Sequence, residues 1–237
     1  MVDMDAPIRT WAPGPPIVRA AAGAVDVWRA DLAADPAAAG GRPEQLLNHD
    51  ELARAARIVP ARKRVLWTRS RGVLRALLGR YLDRDPRSLQ FVLGPHGKPA
   101  LTCAEDLPAT ELRFNLSHSG GVALYAVTLG RTVGIDVEAP RCRIDELAVA
   151  ARVLGREQAR HLAGLDPHSR TREFLRAWVA HEAELKCLGL GLAAPSEEHT
   201  RDELWTTQLE LGPHADAAAA VAVAGGPCEL RRWVWRA

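Results

Sequence analysis

The chain has 237 residues, 47% of them hydrophobic, and a formal net charge of +2 at pH 7. That is enough apolar material for one large domain or two small ones and excludes a disordered chain. So small a net charge gives no reason to expect nucleic acid as a partner. Four cysteines, Cys103, Cys142, Cys187 and Cys228, are widely spaced and form no CxxC or Cys/His zinc pattern; this fits reduced thiols and a cytoplasmic location. The acidic, proline-rich N-terminus lacks the basic and apolar regions of a signal peptide. No apolar run approaches the ~18–20 residues of a membrane span, so no membrane partner is expected.

Residues 1–20 carry four prolines and no periodicity, which predicts a loosely ordered leader. Alternation over 24–32 predicts a strand. An alanine- and proline-rich loop follows, then two helices at about 43–58 and 61–82, separated at Pro60. A short strand is expected at 88–93, and Gly94-Pro95-His96-Gly97-Lys98-Pro99 predicts a turn. Three strands follow at about 112–116, 121–129 and 131–137, then helices at 144–164 and 169–188. Strands near 203–211, 217–224 and 228–235 close the chain. The order of elements recurs, which makes a duplicated α+β unit plausible, with a first half over 21–132 and a second over 133–237.

Four stretches carry chemistry. The predicted helix ending at Gly189 places Trp178, Glu182 and Lys186 at i, i+4 and i+8, on one face. Glu184 falls off that face and is expected to be solvated. Upstream, Asp136 and Glu138 stand two apart on a strand, roughly 7 Å from one another at a rise of ~3.3 Å per residue, facing the same way. Two such carboxylates repel unless a cation or strong donor lies between them; an exposed acidic strand face is the alternative. His118 lies between Ser117 and Ser119, just before Gly120-Gly121, where backbone can approach a ligand closely. Between Arg54 and Arg80 there are nine Arg and Lys residues and no Asp or Glu, a basic surface suited to phosphate or a solvated helix face.

Together these segments resemble the 4′-phosphopantetheinyl transferases, specifically the larger type that activates peptide and polyketide synthetases. The matches are the Gly97-Lys98-Pro99 turn, the strand Phe114 to Ser119, the Gly-x-Asp-x-Glu strand Gly134 to Glu138, and the helix from Trp178 to the Gly189-x-Gly191 exit. The similarity spans about residues 43–192. One departure is His181, where the family has a lysine before the helix glutamate.

The resemblance implies an α+β fold of two similar halves in a pseudo-dimeric monomer, with the active site in the cleft between them. The implied reaction moves phosphopantetheine from coenzyme A to a serine hydroxyl of an apo acyl or peptidyl carrier protein and releases adenosine 3′,5′-bisphosphate. It also implies roles. Asp136, Glu138 and Glu182 would hold Mg²⁺, Glu182 would act as base, and Lys186 would neutralise the leaving phosphate. Lys98, Ser117 and His118 would bind coenzyme A phosphates, and Arg54 and Arg57 the 3′-phosphate. Other readings are a Mg²⁺-dependent phosphohydrolase, a coenzyme A- or carrier-binding module, and a DNA-binding protein resting only on the basic helices.

Overall fold

Strand alternation sorts side chains onto two faces, and here it builds two sheets that share one face. The computed structural model describes residues 11–34, 42–102, 111–140, 144–190, 203–212 and 217–236. Strands β1 (Ala12–Pro13), β2 (Ala24–Asp31), β5 (Leu112–Ser119), β6 (Val122–Leu129) and β10 (Glu229–Val234) form one sheet in the order β1-β10-β2-β6-β5. A second sheet, in the order β7-β9-β8, comprises β7 (Val133–Glu138), β8 (Leu204–Gln208) and β9 (Ala218–Ala224). Val25, Val27, Leu124 and Ala126 of the first sheet meet Val133, Ile135, Val137, Val221 and Val223 of the second, all buried.

The outer faces carry one long helix each. Helix α2 (Ala61–Leu82) lays Val73, Leu74, Leu77 and Leu78 on Trp28, Phe114, Tyr125 and Val127. Helix α5 (Pro167–Leu188) lays Val179, Ala183 and Cys187 on Ala220 and Ala222. Each fully buried aliphatic side chain contributes about 1.5–3 kcal/mol, so these faces fix both helices. The chain is thus of the α+β class expected from its sequence. Among the described residues no helix is long and apolar enough to cross a membrane.

Several boundaries differ from expectation for local reasons. The helix expected over 43–58 breaks into a 3₁₀ turn, Pro43–Leu46, and helix α1, His49–Ala56. Asn48 stops continuity because its side chain accepts from Glu51 N while the Glu51 side chain accepts from Asn48 N, a reciprocal cap. The strand expected over 88–93 contracts to β3 (Phe91–Leu93), which pairs with β4 (Pro99–Leu101), and Pro86–Ser88 is a 3₁₀ turn. The helix expected over 144–164 becomes α3 (Glu146–Val153) and α4 (Arg156–Ala163), parted at Gly155, whose φ of 96° no helix accommodates.

The two termini also behave differently from the reading of the sequence. Of the expected leader, residues 1–10 lie outside the described residues, and Ala12–Pro13 pair with Trp233–Val234. Strand β10 belongs by sequence to the expected second half, 133–237, yet it runs parallel to β2 in the first sheet. Buried Asp26 of β2 explains why: it accepts from Arg231 Nη2 at 2.8 Å, Trp233 Nε1 at 2.9 Å and the Tyr81 hydroxyl at 2.8 Å. Only β10 supplies two of those three donors, so docking it elsewhere would leave a buried carboxylate short of partners.

Candidate active site

The site begins at Gly134. A β-carbon there would stand under 3.0 Å from Ala183 O, Cys187 N and Lys186 C, so α5 rests with its backbone against β7. That close approach lets Glu182 and Lys186, one turn apart, overhang the two acids that follow Gly134 on the same face of β7. The Lys186 Nζ meets Asp136 Oδ1 at 2.6 Å and Ser117 Oγ at 3.2 Å.

Strand β5 supplies the lateral restraint. It runs beside β7, and its alternate side chains do the bonding. Asn115 Oδ1 accepts from Ile135 N at 2.9 Å, and Ser117 Oγ donates to Asp136 Oδ1 at 2.7 Å. Ser119 Oγ donates to Glu138 Oε2 at 2.8 Å and accepts from Ala139 N at 3.1 Å. The period of two along β5 therefore matches the period of two along β7, acid by acid.

The acids retain unmet capacity. Asp136 Oδ2 and Glu182 Oε1 are both buried and have no hydrogen-bond partner. Burial, then the charge of Asp136 and to a smaller degree that of Glu138, pushes the Glu182 carboxyl above its ordinary range, with Lys186 opposing. Among the described residues no set of three acidic, imidazole or thiolate side chains converges as a complete metal cage. Mg²⁺ does not need one: it binds through one or two carboxylates and takes the remaining oxygens from substrate phosphates and water. Two orphaned carboxylate oxygens beside a phosphate-sized cation group fit that donor set.

A cleft of about 510 Å³ opens beside these groups, and Arg54, Ser117, His118 and Lys186 line it. The Ser117 and Lys186 contacts connect it to Asp136. His118 sits exposed at its wall, and protein around the imidazole, with the Lys186 charge next in effect, lowers its pKa against the pull of Glu138.

Other expected residues are placed elsewhere. Lys98 points away from this cleft: its Nζ donates to the carbonyls of Val133 at 3.0 Å, Lys186 at 2.6 Å and Cys187 at 3.4 Å. An ammonium has three donors, and all three are engaged by the last turn of α5 and the start of β7. Burial lowers the Lys98 pKa. Arg57 is exposed at the end of α1 and does not line the cleft. His181 is buried, 8% exposed, on a helix side different from Glu182. Glu184 is half-buried rather than solvated, and accepts from Thr206 Oγ1 at 3.1 Å. Gly189 ends α5 with φ of 75°, while Gly191, Cys103 and Cys142 fall outside the described residues.

The cleft also holds residues that the sequence reading passed over: Glu51, Trp67, Arg71 and Phe91. The first part of the basic stretch, Arg54, Arg57, Arg62, Lys63 and Arg64, is exposed, whereas its later arginines turn inward. Arg71 and Arg75 both pair with Glu51, and Arg69 donates to the carbonyls of Leu32 and Ala34. The Asn48-x-x-Glu51 pattern was the available signal, since it marks a helix start and turns Glu51 inward toward an i, i+4 pair of arginines.

Residues 132–224 match the family described as the 4′-phosphopantetheinyl transferase superfamily. Over 243 residues the chain is 34% identical to 4′-phosphopantetheinyl transferase HetI of Nostoc sp., covering 94% of this chain and 98% of that protein. It is 31% identical over 115 residues to 4′-phosphopantetheinyl transferase AcpT of Escherichia coli (strain K12), covering 48% of this chain and 55% of that one. A similar match, 32% identical with 48% and 56% covered, joins it to AcpT of Salmonella typhi.

Proposed function

Since the chain belongs to the 4′-phosphopantetheinyl transferase superfamily, and so is an enzyme that transfers phosphopantetheine to carrier proteins, we propose that it does so by a Mg²⁺-dependent reaction at the Asp136–Lys186 site. The donor is coenzyme A, and the acceptors are carrier proteins of peptide or polyketide synthetases. The enzyme works as a cytoplasmic monomer in secondary metabolite biosynthesis, its site lying between two related halves. The observation that carries this reading is the pair of buried, unpartnered oxygens, Asp136 Oδ2 and Glu182 Oε1, beside a cation-lined cleft.

Asp136 and Glu182 would hold Mg²⁺, which would offset the diphosphate charge, with Glu138, the third expected acid, adding its charge beside them. Lys186 and His118, on the same wall, bind the phosphate oxygens, and Ser117 holds Asp136 and Lys186 together while remaining open to the cleft. Glu182 is the candidate base for the proton of the carrier serine hydroxyl. The serine oxygen then bonds to the phosphorus that bears pantetheine. The P–O bond to the adenosine-side phosphate breaks, and adenosine 3′,5′-bisphosphate departs with the electron pair. Lys186 is placed to stabilise the charge that develops there. Arg54, which also lines the cleft, binds the 3′-phosphate. Lys98 contributes by fixing the end of α5.

The test is turnover on a panel of apo carriers from peptide, polyketide and fatty-acid synthetases, with Mg²⁺ and with a chelator. Metal-dependent formation of holo carrier is expected. Release of adenosine bisphosphate with no carrier modified would instead indicate a hydrolase.

A further inference from the structure

Strand β7 is the edge of its sheet and, among the described residues, pairs with β9. In an antiparallel pair, bonded positions alternate with positions turned away. Ala224 N donates to Thr132 O, so the main-chain groups of the even-numbered residues face β9. Those of the odd-numbered residues face β5, which belongs to the other sheet. Buried main-chain groups need partners, and here side chains supply them. Val133 O accepts from Lys98 Nζ at 3.0 Å and Ile135 O from Lys186 Nζ at 3.4 Å. Ile135 N donates to Asn115 Oδ1 at 2.9 Å, and Ala139 N to Ser119 Oγ at 3.1 Å.

The spacing along β5 is regular. Asn115 takes the N–H of Ile135, and Ser119, four residues on, takes that of Ala139, also four residues on. The two strands therefore run parallel in one register, and Ser117 falls opposite Val137. Its hydroxyl is turned instead to Asp136 Oδ1 at 2.7 Å and accepts from Lys186 Nζ at 3.2 Å. The outer two side chains hold the strands together, and the middle one serves the site.

Asn115 bears on the site most directly. It is buried, 3% exposed. An ammonium has three donors. Those of Lys186 go to Ser117 Oγ, Ile135 O and Asp136 Oδ1. Each of these acceptors lies within two residues of one end of the Asn115–Ile135 bond, so that bond sets where β5 and β7 present them. An apolar side chain at 115 would leave Ile135 N without its acceptor, and the strands would have to shift to admit another.

We propose that Asn115 is a positioning residue for the transfer reaction: standing in for a strand partner at Ile135, it holds Ser117 and Asp136 at the spacing that Lys186 bridges. This inference rests on the reading of the Asp136–Lys186 site given above.

Nitrogen NMR of the Lys186 ammonium in metal-free protein, together with steady-state transfer in Mg²⁺, tests it. In the wild type an ammonium bonded to three acceptors should exchange its protons slowly with water. Asn115→Leu should speed that exchange by ~10-fold or more, as for loss of about one hydrogen bond. It should cut kcat by ~10²-fold, the scale of a small misplacement of reacting groups, and change KM for coenzyme A far less. Asn115→Asp keeps an acceptor oxygen in the same place and should bring both readings back toward the wild type. Thr128→Val removes a buried hydrogen bond to Ala24 O in the first sheet; it controls for stability alone and should move neither reading. Should Asn115→Leu not fold, Asn115→Ser, whose hydroxyl stands one bond short of Ile135 N, is expected to show the same losses. Wild-type exchange and kcat in the folded variant overturn the proposal. Asn115→Asp as impaired as Asn115→Leu also overturns it, by removing the acceptor from the explanation. A wild type that forms no holo carrier, or forms it without Mg²⁺, counts instead against the reading of the site, because the ammonium exchange is measured without metal or substrate.

Discussion

Gly134 supports Ala183: the α5 backbone at Ala183 lies where a side chain of residue 134 would be, with three main-chain atoms under 3.0 Å from the position of an added β-carbon. Main chain cannot yield as a flexible side chain does. Gly134→Ala is therefore expected to cost about 3 kcal/mol, the upper part of the range for overpacking. It should also lower turnover, because lifting α5 carries Glu182 and Lys186 away from Asp136. Thermal unfolding and transfer rate, measured together, check this; unchanged values for both would mean that α5 shifts without cost.

Lys98 separates two readings of one residue. As a phosphate ligand, its loss would raise the Michaelis constant for coenzyme A. As a cap on three carbonyls, its loss should appear in stability. Lys98→Met is expected to destabilise the protein by on the order of 1.5–3 kcal/mol, the scale of hydrogen bonds to a charged group, while leaving the preference for coenzyme A over dephospho-coenzyme A unchanged. Denaturant unfolding and paired kinetics with the two substrates supply the comparison.

The fold and the order of the site were largely legible because they depend on local periodicity and on short motifs. The alternation in β5, β6 and β7 and the i, i+4 spacing of Glu182 and Lys186 are properties of nearby residues. What was illegible depends on partners distant in sequence. Nothing near Lys98 indicates that its ammonium meets residues 133, 186 and 187. Nothing near Arg231 indicates Asp26, so the return of β10 to the first sheet could not be foreseen. The basic run from Arg54 to Arg80 suggested a surface because sequence gives the count of charges, whereas only packing shows that Glu51 draws Arg71 and Arg75 inward.

Glu182 gives a pH signature in metal-free protein. Its folded pKa is raised, so the fold favours the protonated form. The stability it contributes is present below the ordinary carboxylate pKa and is lost as pH rises through the folded value. Glu182→Gln should flatten that part of the stability profile. Asp136→Asn removes one charge that raises the pKa, so the Glu182 titration should move down toward the ordinary range. Carbon NMR of the labelled carboxyl reads both; an unmoved titration would mean that Asp136 and Glu182 do not share a field.

Glu182 and Glu184 form an internal control on one helix. Glu182→Gln should cut turnover by ~10²-fold or more, the scale for a general base. Glu184→Gln should leave turnover nearly unchanged, since its carboxylate faces Thr206 of β8, and cost roughly 1 kcal/mol of stability at most. Steady-state rates and unfolding midpoints of the two variants distinguish a site residue from a packing one; similar rate losses in both would contradict the arrangement.

The most direct test is the intact mass of an apo carrier protein incubated with coenzyme A and Mg²⁺, in parallel with wild-type enzyme and with Asp136→Asn. The account predicts that the wild type adds one phosphopantetheine mass to the carrier. It predicts that Asp136→Asn, folded by its unfolding midpoint, does so at least ~10²-fold more slowly, as for loss of a group acting directly in the transition state. Wild-type conversion by Asp136→Asn, or an unmodified carrier accompanied by free adenosine 3′,5′-bisphosphate, would contradict it.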